Sequence, residues 1–276
     1  MTYRDILVEV DADPAAQDRC DQAARLAKGF GGHVTGVFLE PDFTMPSTAA
    51  GGAWIPPALL TSVLEAHSAA VNRAEQQAGA WLAAATQTAQ VGCDWLRLKQ
   101  DSTRRFIDYA RGADLVVVGP GRTPQGDFHV TPTEVAFGCG GPVLVLPDAP
   151  RPASVGRRVL VAWNGSREAA RALRDAWPLV SAADQVAVAM VSPRLDRADV
   201  SAMQQRFERR GCKVEVFVET SEEASVGDTL RGQVNDWKAD LLVMGLYGRT
   251  RLAERILGGV SRAFMNDPPT ALLVSH

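Results

Sequence analysis

One stretch of the chain combines residue types and spacing that could do chemistry. Val243-Met244-Gly245-Leu246-Tyr247-Gly248-Arg249-Thr250-Arg251 runs on through Arg255 to Gly258-Gly259-Val260-Ser261. An apolar run of strand length ends in glycine, and a second glycine follows at i+3. After nine more residues a Gly-Gly pair stands where the next helix would open. Glycine admits positive φ and lets a ligand lie directly on backbone. Free amides in such a loop and at a helix start form a nest for phosphate oxygens, assisted by the helix dipole. Arg249, Arg251 and Arg255 add cations within reach of a phosphate tail. Taken singly, the glycines equally suit a tight turn and a helix seated close to a sheet, and each arginine suits a solvated face. Their spacing directly after a strand favours phosphate binding.

Other reactive constellations are weak. His33, His67, His129 and His276 are spread along the chain without ligand spacing, which argues against a histidine-built metal site. Cys20, Cys93, Cys139 and Cys212 show neither metal-type nor disulfide-type spacing and read as reduced thiols. No Gly-x-Ser-x-Gly elbow is present. Gly119-Pro120-Gly121 echoes half of a dinucleotide fingerprint but lacks its third glycine. The six tryptophans read as core and interface anchors, with Trp163 a candidate border of a pocket.

The elements that must position the glycine loop are written twice. Arg4-Asp5-Ile6-Leu7-Val8-Glu9-Val10-Asp11 is matched by Arg157-Arg158-Val159-Leu160-Val161-Ala162-Trp163-Asn164. Ala113-Asp114-Leu115-Val116-Val117-Val118-Gly119 is matched by Ala239-Asp240-Leu241-Leu242-Val243-Met244-Gly245. Each copy closes on an apolar strand, 141–147 and 269–275. Residues 17–30 and 166–180 carry the three-and-four spacing of amphipathic helices. In the second copy the pattern predicts strands near 158–163, 185–191, 213–218, 240–244 and 270–274, with helices near 166–180, 197–210, 225–237 and 260–266. Strands apolar along their whole length are buried on both faces, the mark of a parallel sheet. The expectation is therefore α/β, with two five-stranded parallel sheets in domains at 1–148 and 156–276, joined by a Pro-rich linker. Doubly wound sheets bind ligands at the carboxyl ends of their strands. Residues 41–62, rich in Pro, Gly and Ser, read as an irregular excursion over the first sheet, either a lid or a long loop.

Composition narrows the classes. The 276 residues are 46% hydrophobic and 22% charged, a globular balance, and the net charge of −3 argues against a nucleic-acid partner. No apolar run approaches the roughly 20 residues of a membrane span. The opening Met1–Val8 lacks a leader pattern, so a cytoplasmic location is expected.

With these motifs in view, the sequence resembles a tandem universal stress protein. Nucleotide-binding members of that family carry Gly-x2-Gly-x9-Gly-Ser/Thr after the fourth strand, and Gly245, Gly248 and Gly258 fall in that register. The likeness covers both halves and is closer in the second. It implies two Rossmann-like domains of the adenine nucleotide alpha hydrolase type, pairing by sheet edges into an internal pseudo-dimer, with a homodimer as a further option. It also implies ATP or a related adenine nucleotide as ligand, with magnesium an open accompaniment. The implied site comprises Ala162, Asn164, Val191, Met244, Gly245, Gly248, Arg249, Gly258, Gly259, Val260 and Ser261. Met244 would line the base pocket, and the Val191 backbone would read adenine. Core packing is the competing role for both.

Departures from the family pattern are informative. Gly259 stands where the family has Ser or Thr, which removes a phosphate-binding hydroxyl; Ser261 is the nearest substitute. Asn164 replaces the usual acidic residue, losing the charge and adding a donor. The first copy keeps Asp11 but has no glycine triplet, and Pro120, Pro124 and Pro132 remove amide donors. It reads as a half that has lost nucleotide binding, or as one holding another ligand under the 41–62 excursion. The expected function is a stress-response adenine-nucleotide binder acting through protein partners, at most a weak ATPase. The alternative is an interaction module with both pockets degenerate.

Overall fold

The structure, a computed structural model, describes residues 2–41, 43, 56–99, 101–121, 130–148, 154–191, 197–219, 226–246 and 259–276. Strands and helices alternate through both halves. The first runs β1 (Asp5–Glu9), α1 (Ala15–Phe30), β2 (His33–Leu39), α2 (Pro57–Ala89), β3 (Cys93–Leu98), α3 (Ser102–Ala110), β4 (Leu115–Val118), α4 (Pro132–Gly138) and β5 (Val143–Val145). The second runs β6 (Arg158–Ala162), α5 (Arg167–Asp175), α6 (Trp177–Ala182), β7 (Gln185–Val191), α7 (Arg197–Glu208), β8 (Glu215–Glu219), α8 (Val226–Asp236), β9 (Leu241–Gly245), α9 (Gly259–Asn266) and β10 (Ala271–Ser275).

The strands form one sheet in the order β3-β2-β1-β4-β5-β10-β9-β6-β7-β8. Every neighbouring pair is parallel except β5 with β10, which run antiparallel. The two separate sheets expected from the sequence are thus a single mixed sheet. Within each half the five strands remain parallel, and the order reverses beside the first strand, as a doubly wound fold requires. In the fused sheet Val143, Leu144 and Val145 are fully buried, as are Leu272, Leu273 and Val274, so neither strand is left as a solvated edge.

Alternate side chains along each strand feed two apolar layers. Ile6, Val8, Val159, Val161, Val243 and Leu273 face the layer that holds residues of α1, α2, α5, α6 and α7. Leu7, Val116, Leu160, Leu242 and Leu272 face the layer of α3, α4, α8 and α9. Two aspartates fix the strand starts. Asp114 accepts the amides of Arg4 and Asp5, and Asp240 accepts those of Gly156, Arg157 and Arg158 together with the Ser154 hydroxyl.

Two expectations change. The helix expected over 166–180 breaks at Ala176, because Pro178 in the first turn of α6 cannot continue the hydrogen bonding of α5. The irregular excursion expected over 41–62 is helical from residue 57, since proline is tolerated in a first helical turn and Ala58-Leu59-Leu60 propagate it. Residues 42 and 44–55 of that stretch lie outside the described residues.

Candidate functional site

The carboxyl ends of β6, β7 and β9 bring the second-half candidates to one edge of the sheet. At the end of β6 the chain turns through Asn164, Gly165 at φ +75°, and Ser166. Asn164 Oδ1 accepts the Ser166 amide at 3.0 Å, and Ser166 Oγ accepts the Ala169 amide at 3.1 Å to cap α5. Asn164 is exposed; its oxygen is committed to its own turn, and its amide nitrogen is the group left to offer a ligand a donor.

Ala162, Val191, Met244 and Val260 all belong to the apolar layer on one face of the sheet, although they come from three strands and a helix. Val191 and Met244 are buried within it, so each does the work of core packing as well. Leu246 belongs to the same layer and is fully buried, and Val226 and Leu230 of α8 belong to it too. Leu246 was legible as the next residue of Met244's period-two face; the α8 residues carried no signal. Trp163, the candidate border, packs into the opposite layer instead, because it is one residue out of phase with Ala162.

Gly245 ends β9, and its missing side chain has a structural cause. A Cβ there would stand 2.3 Å from the Glu168 carbonyl carbon and 2.4 Å from the Ala169 amide nitrogen. The first turn of α5 rests on this glycine whatever the following loop holds. Gly259 differs: it is exposed, and a Cβ would meet nothing within 4 Å. Ser261 is buried on the same short helix. Gly248, Arg249 and Gly258, with Arg251 and Arg255, lie outside the described residues.

Sequence reasoning missed the last two residues of the chain. Ser275 pairs in register with Gly245, accepts the Leu246 amide through its carbonyl, and is completely buried with no hydrogen-bond partner for its Oγ. The matching first-half strand continues into Leu146, so a hydroxyl in that place was the available signal. His276 lies against Phe137 of α4, ring centroids 4.6 Å apart. Burial holds the imidazole below its usual range, and Arg167 and Arg171 add to this against the opposing pull of Glu168. At Glu168, burial alone would raise the carboxyl; the Arg167 hydrogen bond, with the carboxyl's backbone and Ser166 hydrogen bonds, outweighs it and holds the group low.

In the first half, the corresponding edge is built from charge. Arg19 is buried, donates to Asp11 at 2.8 Å and reaches the Glu9 carbonyl at 3.4 Å. Burial alone would lower this guanidinium's pKa, but Asp11 and Glu9 outweigh it and raise it. A Cβ on Gly119 would stand 2.8 Å from Arg19 Nη1, so the guanidinium occupies the space beside the glycine that follows β4. The α4 start is closed by its own side chains. Thr131 Oγ1 accepts the Glu134 amide, Glu134 Oε2 accepts the Thr131 amide, and a proline fills the first turn. Of the prolines expected to remove donors here, Pro124 lies outside the described residues.

Residues 156–276 match the Universal stress protein family. The whole chain is similar in fold to a universal stress protein from Archaeoglobus fulgidus DSM 4304. That likeness has 16% identity and a TM-score of 0.75, covering 100% of this chain and 99% of that one. A Pseudomonas aeruginosa UCBPP-PA14 protein gives 14% identity and a TM-score of 0.59, over 99% of this chain and 93% of that one. At these identities the likeness is one of fold. No curated protein matches the chain. Among the described residues, no helix is long and apolar enough to cross a membrane.

Proposed function

We propose that residues 156–276, a Universal stress protein family domain, bind one adenine nucleotide, ATP or a close relative. The site lies where β6, β7 and β9 end. The carrying observation is that Ala162, Val191 and Met244, at the carboxyl ends of β6, β7 and β9, belong with Val260 of α9 to one apolar layer, and that α9 presents Gly259 bare to solvent. An apolar wall suits a base, and backbone amides at a helix start suit phosphate oxygens. Gly248, Gly258 and Arg249 supply the rest of the phosphate contacts in this reading.

Residues 1–148 form the companion domain and leave nucleotide unbound. Its α4 amides are already capped, and the Glu134 carboxylate there repels phosphate. Among the described residues, no group of three or more His, Cys, Asp or Glu stands ready for a metal, so magnesium would enter with the triphosphate. The role is that of a cytoplasmic stress-response protein whose nucleotide shifts it between partner-binding conformations, by differential affinity for them.

A second reading, an interaction module without nucleotide, is favoured by Gly245 and Asn164, both of which serve the β6–α5 turn and its packing. Heating the purified protein and identifying the released small molecules by mass spectrometry, followed by titration calorimetry with ATP, separates the two. An adenine nucleotide in the supernatant, and one titratable site per chain, support the first. No release and no heat of binding leave the second.

A further inference from the structure

Helix α2 outruns the helix that covers it. Its 33 residues extend about 50 Å, against about 24 Å for the 16 residues of α1. One stripe, apolar except for His67, runs along α2 at three- or four-residue spacing: Leu60, Leu64, His67, Val71, Ala74, Ala78 and Leu82. From Val71 onward the stripe is buried in the α1 layer, Ala74 partly. Before it the same stripe is bare: Leu60 is 36% exposed and Leu64 43%, with Leu59 beside them at 54%. Phe43 meets the His67 ring at 5.2 Å and marks where the cover ends.

This overhang is not a solvated face. From residue 57 to 72 its only formally charged side chain is Glu65. A lone surface helix carries charge on its water side, and a helix lying on a membrane or nucleic acid carries lysine and arginine. Neither pattern is present.

We infer that the overhang of α2, residues 58–67, is a self-association surface that pairs with the same segment of a second copy of this chain. A twofold pairing needs a surface complementary to itself, and a neutral leucine stripe is that. Laid antiparallel, Leu60 and Leu64 of one copy fall against Leu64 and Leu60 of the other. The stripe that seats α2 on α1 then continues without interruption into the contact between copies.

Sedimentation equilibrium of the full chain over about 1–100 µM, alone and with Leu60→Glu/Leu64→Glu, tests this. The parent is expected to form dimers in that range. The double variant is expected to weaken association by a factor of at least about ten and, at concentrations where the parent is monomeric, to melt at the parent's temperature, since the leucines are exposed in the single chain. A parent that stays monomeric overturns the inference, as does a variant that still dimerises. A monomeric parent that melts earlier when substituted would mean the leucines are covered from within the chain, which overturns it equally. Flotation of the parent as a monomer with uncharged phosphatidylcholine vesicles would assign the surface to lipid and has the same consequence.

Discussion

Leu144 and Leu273 face each other across the antiparallel β5–β10 pair, and they occupy the same position in their respective halves. Leu144 is in register with Val117 of β4, and Leu273 with Val243 of β9, the residue that matches Val117 in the repeat. A local twofold axis therefore passes between the two leucines. About it, Val143 meets Val274 and Val145 meets Leu272. The pairing is one an isologous dimer would make, closed here within one chain.

Truncating Leu144 or Leu273 to Ala should cost about 2–5 kcal/mol each, because both are fully buried. Since they are neighbours, the double variant should depart from additivity by more than about 0.5 kcal/mol. Urea unfolding of the four members of the cycle measures this, and strict additivity would separate the two halves energetically.

The two glycines three residues apart should fail differently. Gly245→Ala pushes a methyl into the α5 backbone, and a loss of stability on the order of 3 kcal/mol is expected whether or not nucleotide is present. Gly248→Val should leave the melting temperature near the parent's and abolish ATP binding. Thermal melts beside titration calorimetry read both, and a Gly248→Val variant that binds normally would make that glycine structural.

Binding should be asymmetric, with one adenine nucleotide per chain. Gly259→Ser restores a hydroxyl into open space and should tighten binding by roughly 10- to 150-fold, the equivalent of one hydrogen bond to a charged group. Calorimetry gives both the stoichiometry and the affinity. Two equivalent sites, or an unimproved variant, would count against the respective claim.

In the first half, Asp11→Ala removes the partner of a buried guanidinium. A destabilisation of about 3 kcal/mol is expected, since Arg19 then keeps its charge without its carboxylate. Asn164→Ala at the matching place should cost about 1 kcal/mol or less, because it loses only the turn's hydrogen bond to an exposed side chain. Chemical denaturation of the two variants compares them directly.

A pH dependence follows from Glu40. Burial would raise its carboxyl, but the hydrogen bond and charge of Arg97, with Lys99 behind them, hold it below its ordinary 4.5. A depressed carboxylate contributes stability above the unfolded value, and that contribution is lost as pH falls through the folded value. The parent should exceed Glu40→Gln by about 1 kcal/mol near neutrality, and the difference should vanish as pH drops below 4.5 toward the folded value. A gap that persists through the acid limb would assign the effect to packing.

Much of the second half was legible because its information is local. The strands at 158–162, 185–191, 241–245 and 271–275 announce themselves as short apolar runs, and the helices by their spacing. The glycine loop and its place after β9 were readable for the same reason. What sequence could not supply depends on contacts between distant segments. Periodicity shows that β5 and β10 are buried but not that each is the other's neighbour; the resemblance implied a pairing by sheet edges, and the tertiary structure showed that these two strands make it, antiparallel and within one continuous sheet. The β9–β10 pairing set Ser275 beside Gly245, and His276 came to lie against Phe137 across the halves. Gly245 looked like bare backbone for a ligand, and only the approach of α5 showed a backbone already resting there. The overhang of α2 likewise needed both helices in place. A stripe of leucines states that it must be covered; the shorter length of α1 decides where its cover stops.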